Sequence, residues 1–121
     1  MDKTLRKSLL FDFYGPLLTQ RQQDVFQMYF HDDLSLGEIG SQLGISRQGV
    51  YDILKRSGVS LEDFEAKLAL VAKYQDNQES LREIKTSLES VRKRLIATSD
   101  PTSAAALQTI QKTIERILRE E

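Results

Sequence analysis

Residues 35–56, SLGEIGSQLGISRQGVYDILKR, decide how this chain folds. Ser35 followed three residues later by Glu38 has the spacing of a capping box, in which each side chain satisfies a backbone amide of the other residue. That cap opens a short helix with Leu36, Ile39 and Leu43 on its apolar face. Gly44 closes it, as the residue best suited to a left-handed helix end. Ser46 then caps a second helix, Arg47 to about Arg56, with Val50, Ile53 and Leu54 facing inward. Gly40 is small where the two helices approach most closely, and Ile45 plugs the turn into the core. Two short helices crossing steeply at a tight turn make a helix-turn-helix.

On the N-terminal side, Leu5, Leu9, Leu10, Phe13 and Leu17 recur every three or four residues and predict a helix that stops near Gly15–Pro16. Thr19 with Gln22 forms another capping box, and the helix it opens carries Val25, Phe26, Tyr29 and Phe30 before ending around His31–Asp33. Tyr14, Phe26, Tyr29 and Phe30 have the spacing of core residues rather than of a base-stacking platform.

On the C-terminal side, Ser57–Gly58–Val59–Ser60 reads in two ways. It is a break, with Ser60 and Asp63 as a new cap, or it is a weak point in a continuous helix. From Leu61 a helical pattern runs to about Ala97. Its seam, Leu61, Phe64, Leu68, Val71, Gln75 and Gln78, skips one residue before Leu81, Ile84, Leu88, Val91 and Leu95. A skip of that kind predicts local overwinding and loose packing at Tyr74–Gln78. Asp100 as cap and Pro101 as first residue start a last helix with Leu107, Ile110, Ile114, Ile117 and Leu118.

The expected architecture is therefore all-α. Residues 1–59 form a four-helix domain containing the helix-turn-helix, and residues 60–121 supply a long helix and a C-terminal helix. The last two helices, folded back on each other, leave an apolar stripe that a second copy would cover, which predicts a homodimer.

Composition narrows the chemistry. Among 121 residues, 17 Lys and Arg face 18 Asp and Glu, for a net charge of -1. Each half is nearly balanced, with seven basic and seven acidic residues up to position 60. That argues against indiscriminate nucleic-acid binding, which runs on excess cationic charge, but leaves room for a local basic patch. The absence of cysteine excludes disulfides, thiolate metal sites and cysteine nucleophiles, and a lone His31 leaves no histidine-based zinc site. His31–Asp32–Asp33 reads as a polar helix end rather than a metal site. No nucleophile elbow or phosphate loop occurs, so neither an enzyme nor a cofactor is expected. No apolar run reaches the roughly 20 residues of a membrane span, and the start of the chain does not read as a signal peptide. The expected location is the cytoplasm.

Arg47, Gln48, Tyr51, Asp52 and Lys55 should be exposed on the second helix of the motif. In a DNA reader, Arg47 and Gln48 would reach base edges and Lys55 a phosphate, with Arg21 and Arg56 adding backbone contacts. Asp52 on the same face would repel phosphate. The residues alone leave a nucleic-acid face and a protein-binding face both open. Arg92–Lys93–Arg94 is a basic run that suits the C-terminal end of a helix, where the dipole favours cations.

The runs LLTQRQ at 17–22, YFHDDLSLGEIGSQLGISRQGVYDILKR at 29–56 and LEDFEAKL at 61–68 resemble the YlxM family, small bacterial helix-turn-helix proteins encoded beside the signal recognition particle genes. More distantly, the core is similar to region 4 of sigma factors. The resemblance covers roughly residues 5–70, and Ser46–Arg47–Gln48 with Val50–Tyr51–Asp52 is its most specific part. It implies an accessory or regulatory role in the signal recognition particle pathway, through the particle's RNA or its GTPase. Promoter-type DNA binding and a protein–protein adaptor are the alternatives. Ser57–Gly58–Val59 departs from the helix-friendly run expected there.

Overall fold

The computed structural model describes residues 2–97 and 101–119. The described residues form helices and no strands: α1 (Lys3–Tyr14), a 3-10 turn (Gly15–Leu17), α2 (Gln20–Phe30), α3 (Leu36–Leu43), α4 (Arg47–Leu68), α5 (Leu70–Ala97) and α6 (Pro101–Arg119). They divide into two compact units, one reaching to Val71 and the other beginning at Ala72.

The first unit has two apolar clusters that share Leu54. Val25 of α2, Ile39 of α3 and Val50 of α4 form the centre of one, with Met28, Leu43, Ile45 and Ile53 around them. Leu10, Tyr14, Leu18, Phe26, Leu61 and Val71 form the other. Phe11 stacks on Phe26 at 4.6 Å between ring centroids, and Phe26 on Phe30 at 4.4 Å. Tyr14 and Phe26 are core residues, whereas Tyr29 stands partly in solvent. The α1 stripe is narrower than its spacing suggests, because Leu5 and Leu17 are exposed while Leu10 and Tyr14 are fully buried. Both capping boxes form: Thr19 accepts from the Gln22 amide at 3.2 Å, and Ser35 from the Glu38 amide at 3.1 Å. Arg6 of α1 grips Glu62 of α4 through two bonds of 2.8 Å.

In and beyond α4 the structure decides one open reading and corrects another. The helix runs unbroken through Ser57–Ser60, so Ser60 and Asp63 cap nothing. Ser57 is wholly buried, and its hydroxyl donates to the Ile53 carbonyl at 2.7 Å, which satisfies it within the helix. Leu61, four residues on, is driven into the core, and that burial overrides the weak helix propensity of Ser57–Gly58.

The expected long helix from Leu61 to Ala97 is instead interrupted at Ala69, which adopts a left-handed φ of 54°. Such a conformation costs a residue with a Cβ about 1 kcal/mol, and three hydrogen bonds offset it. The buried Tyr14 hydroxyl donates to Glu65 Oε1 at 2.6 Å and accepts from the Leu70 amide at 3.0 Å. Glu65 Oε1 also accepts from the Val71 amide at 3.0 Å. Burial, followed by the bond to Glu65, raises the Tyr14 pKa above its ordinary value. The first unit extends through this junction to Val71.

In the second unit, α6 runs back along α5, with Lys85 and Glu115 paired at 3.5 Å. The helix continues through Tyr74–Gln78, and Gln78 is buried where loose packing was expected. The expected seam is rotated. Leu81, Leu88 and Leu95 are half-buried, but Ile84 and Val91 are exposed, and Lys85 and Arg92 take half-buried places. On α6, Ile114 and Gln111 are buried and Ile110 is exposed. Gln78 Oε1 and Arg92 Nε are buried without a hydrogen-bond partner among the described residues. Pro101 is the first residue of α6, while the cap expected at Asp100 lies outside the described residues.

Candidate nucleic-acid interface

The turn between α3 and α4 is held by its two glycines. A Cβ on Gly40 would lie 2.6 Å from the Ile45 carbonyl oxygen, so no larger residue fits without moving backbone. Gly44 adopts a left-handed φ of 70°, which glycine enters without strain. Ile45 returns its amide to the Gly40 carbonyl at 3.0 Å and packs into the cluster of Val25, Ile39 and Val50. Ser46 accepts from the Gly49 amide at 3.0 Å and starts α4. Ser35 does the same for α3, and the Glu38 carboxylate is held below its usual pKa by the Ser35 backbone amide and hydroxyl. With Val50 buried and Ile53 and Leu54 half-buried against the core, the opposite face of α4 is fixed outward.

That face carries every candidate the sequence placed on it. Arg47, Gln48, Tyr51, Asp52, Lys55 and Arg56 are all exposed, Tyr51 by 48%. They fall into two shallow depressions. Arg47, Gln48 and Tyr51 border one with Leu36 of α3. Asp52, Lys55 and Arg56 border the other with Val59, Ser60 and Gln22. Gln22 comes from the first turn of α2, so α2 begins beside the middle of α4. Arg21 is exposed on that same first turn but borders neither depression. Gln48 Nε2 donates to Asp52 Oδ1 at 3.1 Å, tying the two depressions together along one helix face.

The sequence reading missed Gln22, Leu36, Val59 and Ser60 as members of this surface. Gln22 was absorbed by its capping role, which uses its Oε1 to accept from the Thr19 amide at 3.0 Å. Val59 lies four residues beyond Lys55 and eight beyond Tyr51, a helical face that is legible only if α4 is continuous.

The surface has exposed cations, one carboxylate, a tyrosine and side-chain amides, so it can form hydrogen bonds and ion pairs with a polar, anionic partner. Among the described residues, no group of three or more His, Cys, Asp or Glu could hold a metal ion. His31–Asp33 turns the chain out of α2, with Asp33 at a φ of 57° and the His31 ring 6.0 Å from that of Phe11. No helix of the described residues is long and apolar enough to cross a membrane.

Comparison with known proteins adds a family. The model of the UPF0122 family, described as "Putative helix-turn-helix protein, YlxM / p13 like", matches residues 1–100. A UPF0122 protein of a Thermoanaerobacter species is 47% identical over 116 residues, covering 96% of this chain and 97% of its own length. One from Caldanaerobacter subterraneus is 54% identical over 84 residues, 69% of this chain and 72% of its own. Another, from Halalkalibacterium halodurans, is 46% identical over 89 residues, 74% of this chain and 82% of its own.

Proposed function

The chain belongs to the YlxM/p13-like helix-turn-helix family, and from that premise we propose that it binds nucleic acid through the outward face of α4. One observation carries the reading: Arg47, Gln48, Tyr51, Lys55 and Arg56 stand free of the core on one helix face, while Gly40 and Gly44 hold that helix against α3. A helix so mounted can lay its first turns in a major groove, with Arg47 and Gln48 at base edges and Lys55 at a phosphate. Arg56, and Arg21 at the start of α2, both exposed, would reach the flanking backbone. The family resemblance supplies the setting: a cytoplasmic accessory or regulatory protein of the signal recognition particle pathway, meeting the particle's RNA or its GTPase.

The second unit serves association. Ile84, Val91 and Ile110 are each more than 40% exposed, and among the described residues no third helix of this unit covers them. A second copy would complete a four-helix bundle. Light scattering should then give about twice the 13.9 kDa chain mass, and a monomer at tens of micromolar removes the dimer from the proposal.

The recognition reading is tested by titrating the chain against the particle's RNA, its GTPase and a random DNA duplex at two salt concentrations. Arg47→Ala with Gln48→Ala should weaken nucleic-acid binding at an unchanged melting temperature. Lys55→Ala should flatten the salt slope by about one unit, the share of one phosphate contact. Tight, salt-sensitive binding to the duplex alone favours a transcription regulator of sigma-region-4 type. GTPase binding that ignores Arg47 and Gln48 replaces nucleic-acid recognition with an adaptor function.

A further inference from the structure

The carboxylate of Asp52 is the anomaly on the α4 face. It shares a shallow depression with Lys55 and Arg56, where it would repel every phosphate backbone alike, yet it is not idle. Gln48 Nε2 donates to its Oδ1 at 3.1 Å. A carboxylate can only accept, so the bond fixes which end of the Gln48 amide faces Asp52: the nitrogen is committed there and the carbonyl oxygen is turned away. The Gln48–Asp52 pair therefore offers a base edge chiefly acceptors, namely Gln48 Oε1 and the remaining lone pairs of Asp52. One N–H of the amide is left as a donor.

We propose, building on the nucleic-acid reading above, that Asp52 is a specificity-determining residue, which by orienting Gln48 makes α4 select adenine or cytosine at the step this pair faces. In the major groove the exocyclic amino groups of adenine and cytosine donate, whereas guanine O6 and thymine O4 accept. A keto base opposite the pair sets acceptor against acceptor and leaves the Asp52 charge unrelieved. An amino base supplies the missing N–H. The same carboxylate that weakens binding to every duplex thus weakens it least where an amino base is present, and discrimination arises from the penalty on the wrong base.

Selection from a randomised DNA duplex library, followed by affinity measurements on the enriched and mutated sites, tests this. The wild-type chain should show one position where adenine or cytosine is preferred over guanine or thymine by roughly tenfold, the discrimination typical of one good base contact. Asp52→Ala should bind all duplexes more tightly and reduce that ratio to about twofold or less, because the Gln48 amide is released. Asp52→Asn, which presents an N–H of its own, should move the preference toward guanine or thymine. Gln48→Ala should lose the preference by the other route. All these side chains are exposed, so melting temperatures should match the wild type. If Asp52→Ala tightens binding and leaves the base ratio intact, Asp52 is only a repelling charge: the inference falls and the nucleic-acid reading stands. If the wild-type chain enriches no site, the inference falls; if it also binds neither a duplex nor the particle's RNA in a salt-dependent way, the nucleic-acid reading falls with it.

Discussion

The two units solve the problem of burying apolar surface in opposite ways. In the first, Tyr14, Val25, Phe26, Ile39, Val50 and Leu61 lose essentially all contact with solvent, and the polar groups taken in with them are satisfied. Ser57 bonds back to Ile53, and Tyr14 bonds to Glu65 and the Leu70 amide. In the second, two of the three buried side chains among the described residues are glutamines, while Ile84, Val91, Ile96 and Ile110 face outward. A buried polar atom without a partner costs on the order of 1–3 kcal/mol, and Gln78 Oε1 and Arg92 Nε are two of them. The first unit has a closed core that can present a rigid surface. The second leaves apolar side chains of both its helices in solvent.

The largest effect that could break this contrast is a core truncation on each side. Ile39→Ala should cost about 2–5 kcal/mol, since Ile39 is completely enclosed by α2 and α4. Ile110→Ala, at a site 45% exposed, should leave the melting temperature of a dilute sample nearly unchanged and instead weaken self-association. Equal losses of stability at the two positions, read by thermal melts, would contradict the division.

Next in size is the junction at Ala69. Tyr14→Phe keeps the ring and removes the hydroxyl that both donates to Glu65 and accepts from Leu70. The expected loss is about 1–3 kcal/mol, with faster hydrogen exchange at the Leu70 and Val71 amides. Unchanged exchange there would mean that the hydroxyl does not hold the first turn of α5.

Two glycines then sharpen the account by sign. Gly40→Ala drives a Cβ onto the Ile45 carbonyl and should destabilise by about 1–3 kcal/mol. Gly58→Ala meets nothing within 4 Å inside a continuous helix and should stabilise by up to about 1 kcal/mol. Destabilisation at Gly58 would revive the break that its sequence suggests.

The smallest effect is electrostatic. The Ser35 amide and hydroxyl lower the Glu38 pKa, and the Arg6 hydrogen bond lowers that of Glu62. A carboxyl whose pKa is depressed by folding stabilises the folded state above its unfolded value, here an ordinary 4.5, and that contribution disappears as pH falls through the depressed value. Melting temperature should therefore decline modestly below pH 4.5. Ser35→Ala with Arg6→Ala should reduce the dependence.

What was legible in the sequence follows the range of the forces involved. The helix-turn-helix could be read in detail because its determinants are local: a cap three residues from its partner, a glycine at a left-handed turn, an apolar residue on each inward face. The exposed face of α4 followed from the same periodicity. The break at Ala69 was illegible, because alanine is the best helix former and the bonds that stop the helix come from Tyr14, far away in the chain. The continuity of α4 through Ser57–Gly58 was open for the same reason, being settled by where Leu61 is buried. In the second unit, Ile84 and Val91 fit the expected seam as well as Leu81 and Leu88 do. Only the place of α6, with Glu115 paired to Lys85, shows which of them turn outward.

The central claim is that recognition belongs to α4 of the first unit and association to the second. The most direct test is to follow backbone amide resonances of the full chain while a salt-sensitive nucleic-acid ligand is added. Shifts should concentrate between Arg47 and Arg56 and at Arg21 and Gln22, with the exposed side of α5 and α6 around Val91 and Ile110 unmoved. Shifts centred on α5 and α6, with α4 unmoved, would contradict the claim.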